Sequence, residues 1–253
     1  GGDGTFNDAM AALLSPDDTL LDASATVFAV VPAGTGGDLA ARTLDVPAEA
    51  DDLARWMAHA TPAPFDLGRL VYRDAQGAPA VTLFCNVASA GLSGRVDALV
   101  ARGPKWIGGP AAYFTASLRA TAGWRHTRAR VTVDGATVYD GPAMTVAVCN
   151  GRAFGGGMKI APEALPDDGT LEVVVLGDLG LADIARLTPR IYQGTHDTLA
   201  GVVTARGRRV AIEGDLQLDV DGETPGAAPA EMTVWPGAVR VLRHPSHTTK
   251  DTP

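Results

Sequence analysis

Gly1-Gly2-Asp3-Gly4-Thr5 places three glycines and one carboxylate directly before a helical pattern that continues to Leu14. Glycine has no Cβ and can adopt positive φ, so such a turn lets backbone amides converge on phosphate oxygens. Asp3 would repel that anion, which predicts a bridging cation, and Mg²⁺ is the usual companion of ATP. An ordinary turn that caps a helix is the alternative, and the pentapeptide alone leaves both interpretations open.

A second glycine loop supports the phosphate interpretation. The apolar run 26–31 leads into Pro32-Ala33-Gly34-Thr35-Gly36-Gly37-Asp38, and a helical pattern follows at 39–42. Two strand-loop-helix units predict neighbouring strands of an open α/β sheet, in which ligands bind at the carboxyl ends of the strands. Neither loop is a Walker A motif or a dinucleotide-binding GxGxxG motif.

Two acidic turns further along add candidate site residues. Asp221-Gly222-Glu223 holds two carboxylates two residues apart. Close like charges raise one of the two pKa values, which suits a group that must take a proton from a hydroxyl. A solvated hairpin turn is the alternative, because Asp-Gly is a strong hairpin signal. Asp167-Asp168-Gly169 is likewise a turn signal by default.

Together these motifs resemble the diacylglycerol kinase catalytic domain superfamily, which includes bacterial lipid kinases and sphingosine kinases. The resemblance rests on GGDGT at 1–5, GTGGD at 34–38, the segment 160–171 and the turn 220–223, in this order over nearly the whole chain. It departs from the family at Gly37, where Asn is more common. The resemblance implies an ATP-dependent lipid kinase with a diacylglycerol-type acceptor. A sphingoid or other lipid acceptor, a soluble acceptor such as NAD, and an inactive lipid-binding fragment are the alternatives.

The resemblance also implies roles for individual residues. Glu223 would accept the proton of the lipid hydroxyl, with Asp221 and Asp3 as the other catalytic carboxylates. A structural Mg²⁺ would be bound by the Asp168 side chain and by the carbonyls of Leu165 and Thr170. The residues expected around the ATP phosphates are Gly1, Gly2, Asp3, Gly4, Thr5, Phe6, Asn7, Gly34, Thr35 and Gly36.

The predicted fold is a partial α/β nucleotide-binding domain followed by an antiparallel β-sandwich with a few helices. Residues 1–63 form the first domain, which ends in a helix at 48–60, and the Pro-rich segment 61–64 is a linker. Residues 64–235 form the sandwich, and 236–253 hold a strand at 239–243 that returns toward the first domain. Strands are expected at 66–73, 80–88, 125–134, 144–150, 171–176, 202–212 and 232–235, with helices at 94–102, 110–123 and 181–193. Since the family places βα units before GGDGT, we expect an incomplete nucleotide domain that has an exposed sheet edge and binds ATP poorly.

Composition favours a cytoplasmic enzyme. The chain has 253 residues, 46% of them hydrophobic, and a formal charge of −8, which argues against a nucleic-acid partner. It contains no apolar run of the ~18 residues that a spanning helix needs, and no signal peptide. The lipid substrate would therefore be met at the inner membrane surface, through transient, salt-sensitive contact in which Arg206, Arg208 and Arg209 take part. A homodimer is left open.

Overall fold

Two antiparallel sheets dominate the structure, a computed structural model that describes residues 3–23, 25–32, 37–92 and 126–244. The first sheet has the order β3-β2-β12-β10-β5-β6, where β2 is Thr61–Asp74, β3 Pro79–Phe84, β5 Thr127–Val133, β6 Ala136–Ala143, β10 Arg209–Glu213 and β12 Gly226–Arg243. The second has the order β11-β4-β7-β8-β9, where β4 is Val87–Gly91, β7 Thr145–Cys149, β8 Leu171–Leu176, β9 Val202–Gly207 and β11 Leu218–Val220. Buried residues of both sheets share one hydrophobic cluster, which makes the pair a sandwich.

The two longest strands, β2 and β12, extend well beyond this sandwich. They pair with each other from Asp74 and Gly226 at one end to Thr61 and Arg243 at the other. Their far ends carry a second hydrophobic cluster, which also includes Phe6, Met10, Leu39 and Trp56 from the N-terminal residues. The elements packed there are α1 (Asp3–Ala11), β1 (Val27–Phe28), a π-helical turn (Leu39–Thr43) and α2 (Ala50–His59). β1 pairs in parallel with β12, so the N-terminal residues are joined to the first sheet.

The prediction of a linker at 61–64 is wrong, because these residues form the beginning of β2. Proline was the misleading signal, since it cannot donate to a sheet ladder and usually marks a break. Here β3 pairs with β2 only from Gly68 onward, so Pro62 and Pro64 lie where β2 has β12 on one side alone. Asp66 is two residues further along β2 than Pro64, so its backbone amide points to the same open side. This amide donates to the Pro166 carbonyl at 2.7 Å.

Two predicted strands each prove to be a pair of strands that belong to different sheets. The segment 80–88 divides at Cys85-Asn86 into β3 and β4, and 202–212 divides at Arg208 into β9 and β10. Hydrophobic periodicity misses such crossings because the apolar run continues through them. Conversely, the strands expected at 232–235 and 239–243 are one strand, β12, with a register shift between Trp235 and Val239.

Other elements follow the sequence closely. The strands at 144–150 and 171–176 are confirmed as β7 and β8, and the helix at 181–193 as α3 (Leu181–Gln193). This helix packs on the outer face of the second sheet, where Leu187 and Ile191 join a third hydrophobic cluster. The helices predicted at 94–102 and 110–123 lie outside the described residues.

Candidate active site

Three carboxylates from three separate motifs converge where the N-terminal residues meet the sandwich. Asp3 begins α1, and its Oδ2 accepts a hydrogen bond from the Leu39 amide at 3.1 Å, which ties the first motif to the second. Burial raises the pKa of Asp3, and the nearby charge of Asp38 raises it further. The charge of Asp3 in turn contributes to a raised pKa at Asp221. Cys85 joins the two motifs directly, since its thiol donates to Asn7 on α1 and its amide donates to Asp221.

The crossing from β3 to β4 holds Asp221 in place. Its Oδ2 accepts from the Cys85 amide at 2.7 Å, and its Oδ1 accepts from Asn86 at 3.0 Å and Val87 at 2.9 Å. Backbone amides that leave one sheet for another lose their ladder partners, and this carboxylate replaces them. Burial nevertheless outweighs the three hydrogen bonds and raises the pKa of Asp221 to about 6.

Asp221 and Gly222 form a tight turn with φ values of 51° and 93°. The flanking residues close it, since Val220 donates to the Glu223 carbonyl at 2.7 Å and Glu223 donates to that of Val220 at 2.9 Å. The hairpin-turn interpretation is therefore right about conformation. The turn also presents Glu223 as an exposed carboxylate, while both Asp221 oxygens are occupied by amides.

Two buried asparagines connect this turn to the rest of the fold, and the sequence analysis missed both. Nδ2 of Asn150 donates to the carbonyls of Asp66 at 2.9 Å and Cys85 at 2.8 Å. Nδ2 of Asn86 donates to the Ala153 carbonyl at 2.9 Å. Each asparagine directly follows a buried cysteine at the end of an apolar run, and this repeated Cys-Asn pair was the available signal.

Part of the predicted phosphate loop can be placed. A Cβ added at Gly4 would meet no neighbouring atom of the described residues within 4 Å, so that part of the chain leaves the space beside Gly4 open. Asn7 is buried and accepts a hydrogen bond from the Cys85 thiol at 3.8 Å, while the Phe6 ring packs edge-on against Phe28 and Phe65. Thr5 is exposed. Gly1, Gly2, Gly34, Thr35 and Gly36 lie outside the described residues.

Asp38 is a further candidate that the sequence analysis quoted within its second motif without giving it a role. Its Oδ2 accepts from the Gly156 amide at 2.8 Å, and Gly156 lies in a triple-glycine loop whose φ values are all positive. The second motif is thus fixed to the sandwich by its own carboxylate. The signal was available, since GTGGD ends in this aspartate.

The predicted metal loop is occupied by protein groups. Asp168 accepts from the Thr170 amide at 3.0 Å and from its hydroxyl at 2.6 Å, and it pairs with Arg206. Leu165 lies in the same loop and is half-buried. Within the part of the chain that the structure describes, no group of three or more His, Cys, Asp and Glu side chains could hold a metal ion.

Titration of Asp221 predicts a pH-dependent stability. Its folded pKa of about 6 lies above the ordinary 3.8, so between these values the folded state binds more protons than the unfolded state. Stability contributed by this group is therefore highest at low pH and falls as pH rises to about 6. We expect the melting temperature of wild type minus that of Asp221→Asn to decrease over this range and stay constant above it. Asp140→Asn, at an exposed ion-paired site, is the control. For Asp221→Asn, a difference between the two melting temperatures that grows with pH would contradict the assignment.

The chain is similar to known proteins over nearly its whole length. Residues 1–70 match the diacylglycerol kinase catalytic domain, and residues 86–243 match the YegS C-terminal NAD kinase beta sandwich-like domain. The Stenotrophomonas maltophilia (strain K279a) protein named "Probable lipid kinase YegS-like" is 32% identical over 95% of this chain and 76% of its own length. A diacylglycerol kinase of Mycobacterium tuberculosis (strain CDC 1551 / Oshkosh) is 30% identical over 98% of this chain and 76% of its own length.

Solved structures show the same fold. A diacylglycerol kinase from Bacillus anthracis str. Sterne aligns with a TM-score of 0.64 at 20% identity, over 98% of this chain and 76% of that one. A second crystal structure from the same strain aligns with a TM-score of 0.71 at 23% identity, over 97% and 76%. The predicted fold class, a nucleotide domain plus a β-sandwich, is thereby confirmed.

The chain is therefore a lipid kinase by class. It belongs to the family of diacylglycerol kinases and YegS-like lipid kinases, as the motifs indicated. Among the described residues, no helix is both long and apolar enough to cross a bilayer.

Proposed function

We propose that this lipid kinase transfers the γ-phosphoryl group of ATP to the hydroxyl of a diacylglycerol-type lipid. The observation that carries the proposal is that contacts join three motifs: Asp3 accepts from the Leu39 amide, next to Asp38, and Cys85 contacts both Asn7 on α1 and Asp221. Phosphoryl transfer needs positioning and charge neutralisation more than covalent chemistry, and this junction offers groups for both.

The residues fit a magnesium-bound nucleotide. Oδ1 of Asp3 is buried without a hydrogen-bond partner among the described residues, and buried polar atoms are normally satisfied. A divalent cation would satisfy this oxygen and relieve the repulsion among the carboxylates. The open space beside Gly4 lies at the N-terminal end of α1, where backbone amides favour phosphate. Bound Mg-ATP supplies the phosphoryl group, and the metal neutralises charge on the phosphates.

Glu223 is the proposed proton acceptor. Its side chain is exposed at the tip of a turn, whereas Asp221 is fixed by three amides and serves to hold that turn beside Asp3. A positioned carboxylate that can approach an acceptor hydroxyl is what general-base catalysis needs. Asp221 is accordingly a positioning residue in this proposal.

Contact with a membrane remains part of the proposal. Of the three arginines expected to touch lipid, Arg206 pairs with Asp168 and Arg209 pairs with Glu231. The contribution of this group to binding is therefore smaller than three free charges would give, at about 1 kcal/mol each. We expect transient, salt-sensitive attachment to anionic bilayers.

A phosphorylation assay with labelled ATP tests the proposal. Dispersed diacylglycerol, sphingosine and NAD are offered in parallel, and liposome co-sedimentation is measured at low and high salt. We expect labelled phosphatidic acid, with activity that rises when anionic lipid is added. Labelled sphingosine phosphate would show that the acceptor is a sphingoid base and not diacylglycerol. Phosphorylated NAD without liposome association would overturn the lipid proposal. The absence of any labelled product would favour an inactive lipid-binding protein.

A further inference from the structure

The loop at 166–170 contains a closed ring of polar contacts around one guanidinium group. Arg206, on β9, pairs through Nη2 with Oδ2 of Asp168, and its Nε donates to the Thr170 hydroxyl at 2.6 Å. That hydroxyl donates to Oδ1 of Asp168, also at 2.6 Å. Nε of Arg206 lies 3.2 Å from Glu172 on β8 as well. Both oxygens of Asp168 are therefore engaged by protein donors.

A second arginine binds the neighbouring carboxylate. Nη1 of Arg243, near the end of β12, lies 2.7 Å from Oδ2 of Asp167. The Arg243 side chain is only 2% exposed, and a buried guanidinium is costly unless it is paired. Asp167 is 18% exposed, so water screens this ion pair weakly.

The same loop is fixed at two further points by Asp66 on β2. Oδ2 of Asp66 accepts from the Gly169 amide at 2.7 Å, and the Asp66 amide donates to the Pro166 carbonyl, also at 2.7 Å. Oδ1 of Asp66 accepts from the Gly237 amide on β12 at 2.7 Å. Three strands, β2, β9 and β12, thus contribute charged side chains to five consecutive residues. Burial raises the pKa of Asp66, and the charges of Asp168 and Asp167 raise it further.

We propose that Arg206 and Arg243 supply the positive charge that holds the 166–170 loop, so that the loop takes its native conformation without a divalent cation. The Mg²⁺ expected from the sequence on Asp168, Leu165 and Thr170 does not fit, because its carboxylate ligand is already committed to Arg206 and Thr170. A guanidinium carries fixed, directional donors and matches a carboxylate in shape, which a mobile cation does not. The proposal concerns this loop alone and leaves the Mg-nucleotide at Asp3 unaffected.

Thermal unfolding of the full chain without nucleotide tests this. We expect Asp3→Asn, which lacks the ligand of the proposed nucleotide metal, to melt at the same temperature in EDTA and in millimolar MgCl₂. Adding Arg206→Gln to this variant should lower the melting temperature in EDTA by roughly 2–4 °C. MgCl₂ should restore part of that loss, because the freed Asp168 now lies beside Glu172 and Thr170 as a set of oxygen ligands for the cation. Arg206→Lys should have an intermediate melting temperature, since lysine keeps the positive charge and lacks the planar set of guanidinium donors.

Arg209→Gln is the matched control, because Arg209 lies on β10 and forms an exposed ion pair with Glu231 on β12, which the substitution breaks. It should shift the melting temperature little and show no response to Mg²⁺. If Arg206→Gln aggregates, wild type and Asp168→Asn are compared by Mn²⁺ binding, with equal stoichiometry expected. An Asp3→Asn variant that loses stability in EDTA, or a Mn²⁺ site lost in Asp168→Asn, would overturn the proposal.

Discussion

Glu223→Gln is expected to lower kcat by on the order of 10²- to 10⁴-fold, the usual contribution of a general base. KM for ATP should stay nearly unchanged, because Glu223 lies on the exposed tip of a turn and Asp221 keeps its three amide contacts. Glutamine keeps the size of the side chain and one acceptor oxygen, and it removes the negative charge together with the ability to accept a proton. Steady-state kinetics on dispersed diacylglycerol, with ATP varied, would show this separation of kcat from KM.

Glu213→Gln is the matched control for this variant. Glu213 is an exposed glutamate at the end of β10, where it faces Arg130 and takes no part in the proposed site. Its activity should equal that of wild type. If Glu223→Gln were equally active, Glu223 would have no role in proton transfer, and Asp221, whose pKa is about 6, would be the next candidate.

Asp3→Asn is expected to separate activity from stability. Activity, as kcat/KM for Mg-ATP, should fall on the order of 10²- to 10³-fold, because a group that neutralises developing charge through the metal is lost. The melting temperature at neutral pH should stay the same or rise, since burial and Asp38 both disfavour a charged Asp3. Asparagine can still accept from the Leu39 amide through its carbonyl oxygen. Functional sites commonly hold such unfavourable groups at a cost in stability.

Asp8→Asn provides the control on the same helix, because Asp8 is exposed on α1. Its kinetics and melting temperature should match wild type within error. A less stable Asp3→Asn variant with normal use of Mg-ATP would show that Asp3 is a structural residue, and the proposed nucleotide site would have to be abandoned.

Local patterns were sufficient to select Asp3 and Asp221 as candidate site residues, and their roles stay predictions. Asp3, at the first position of α1, and Asp221, in a turn, each stand beside glycine, and helix starts and turns depend on the residues inside them. The structure adds that the two lie close enough to affect each other's charge, which sequence spacing cannot show. Whether Glu223 and the glycines act as proposed stays a prediction.

Features that depend on long-range packing could not be predicted. At Cys85-Asn86 the chain passes from the first sheet to the second. The apolar run continues on both sides of this point, so no local sequence signal marks the change of sheet. The pairing of Arg206 with Asp168 joins a strand to a distant loop. The turn signal at Asp167-Asp168 predicts the local conformation and does not indicate which residue pairs with Asp168. The prolines at 62 and 64 misled because an open strand edge is a tertiary property.

The continuous pairing of β2 with β12 limits how this enzyme can move. Many two-part kinases close a cleft by bending at a flexible connection. Here a bend near residues 63–64 would have to break backbone hydrogen bonds between β2 and β12, on which two hydrophobic clusters are built. We therefore expect no hinge at this junction. ATP and the lipid hydroxyl must instead bind to a site whose geometry is already formed. Motion during turnover is then confined to the loops around that site.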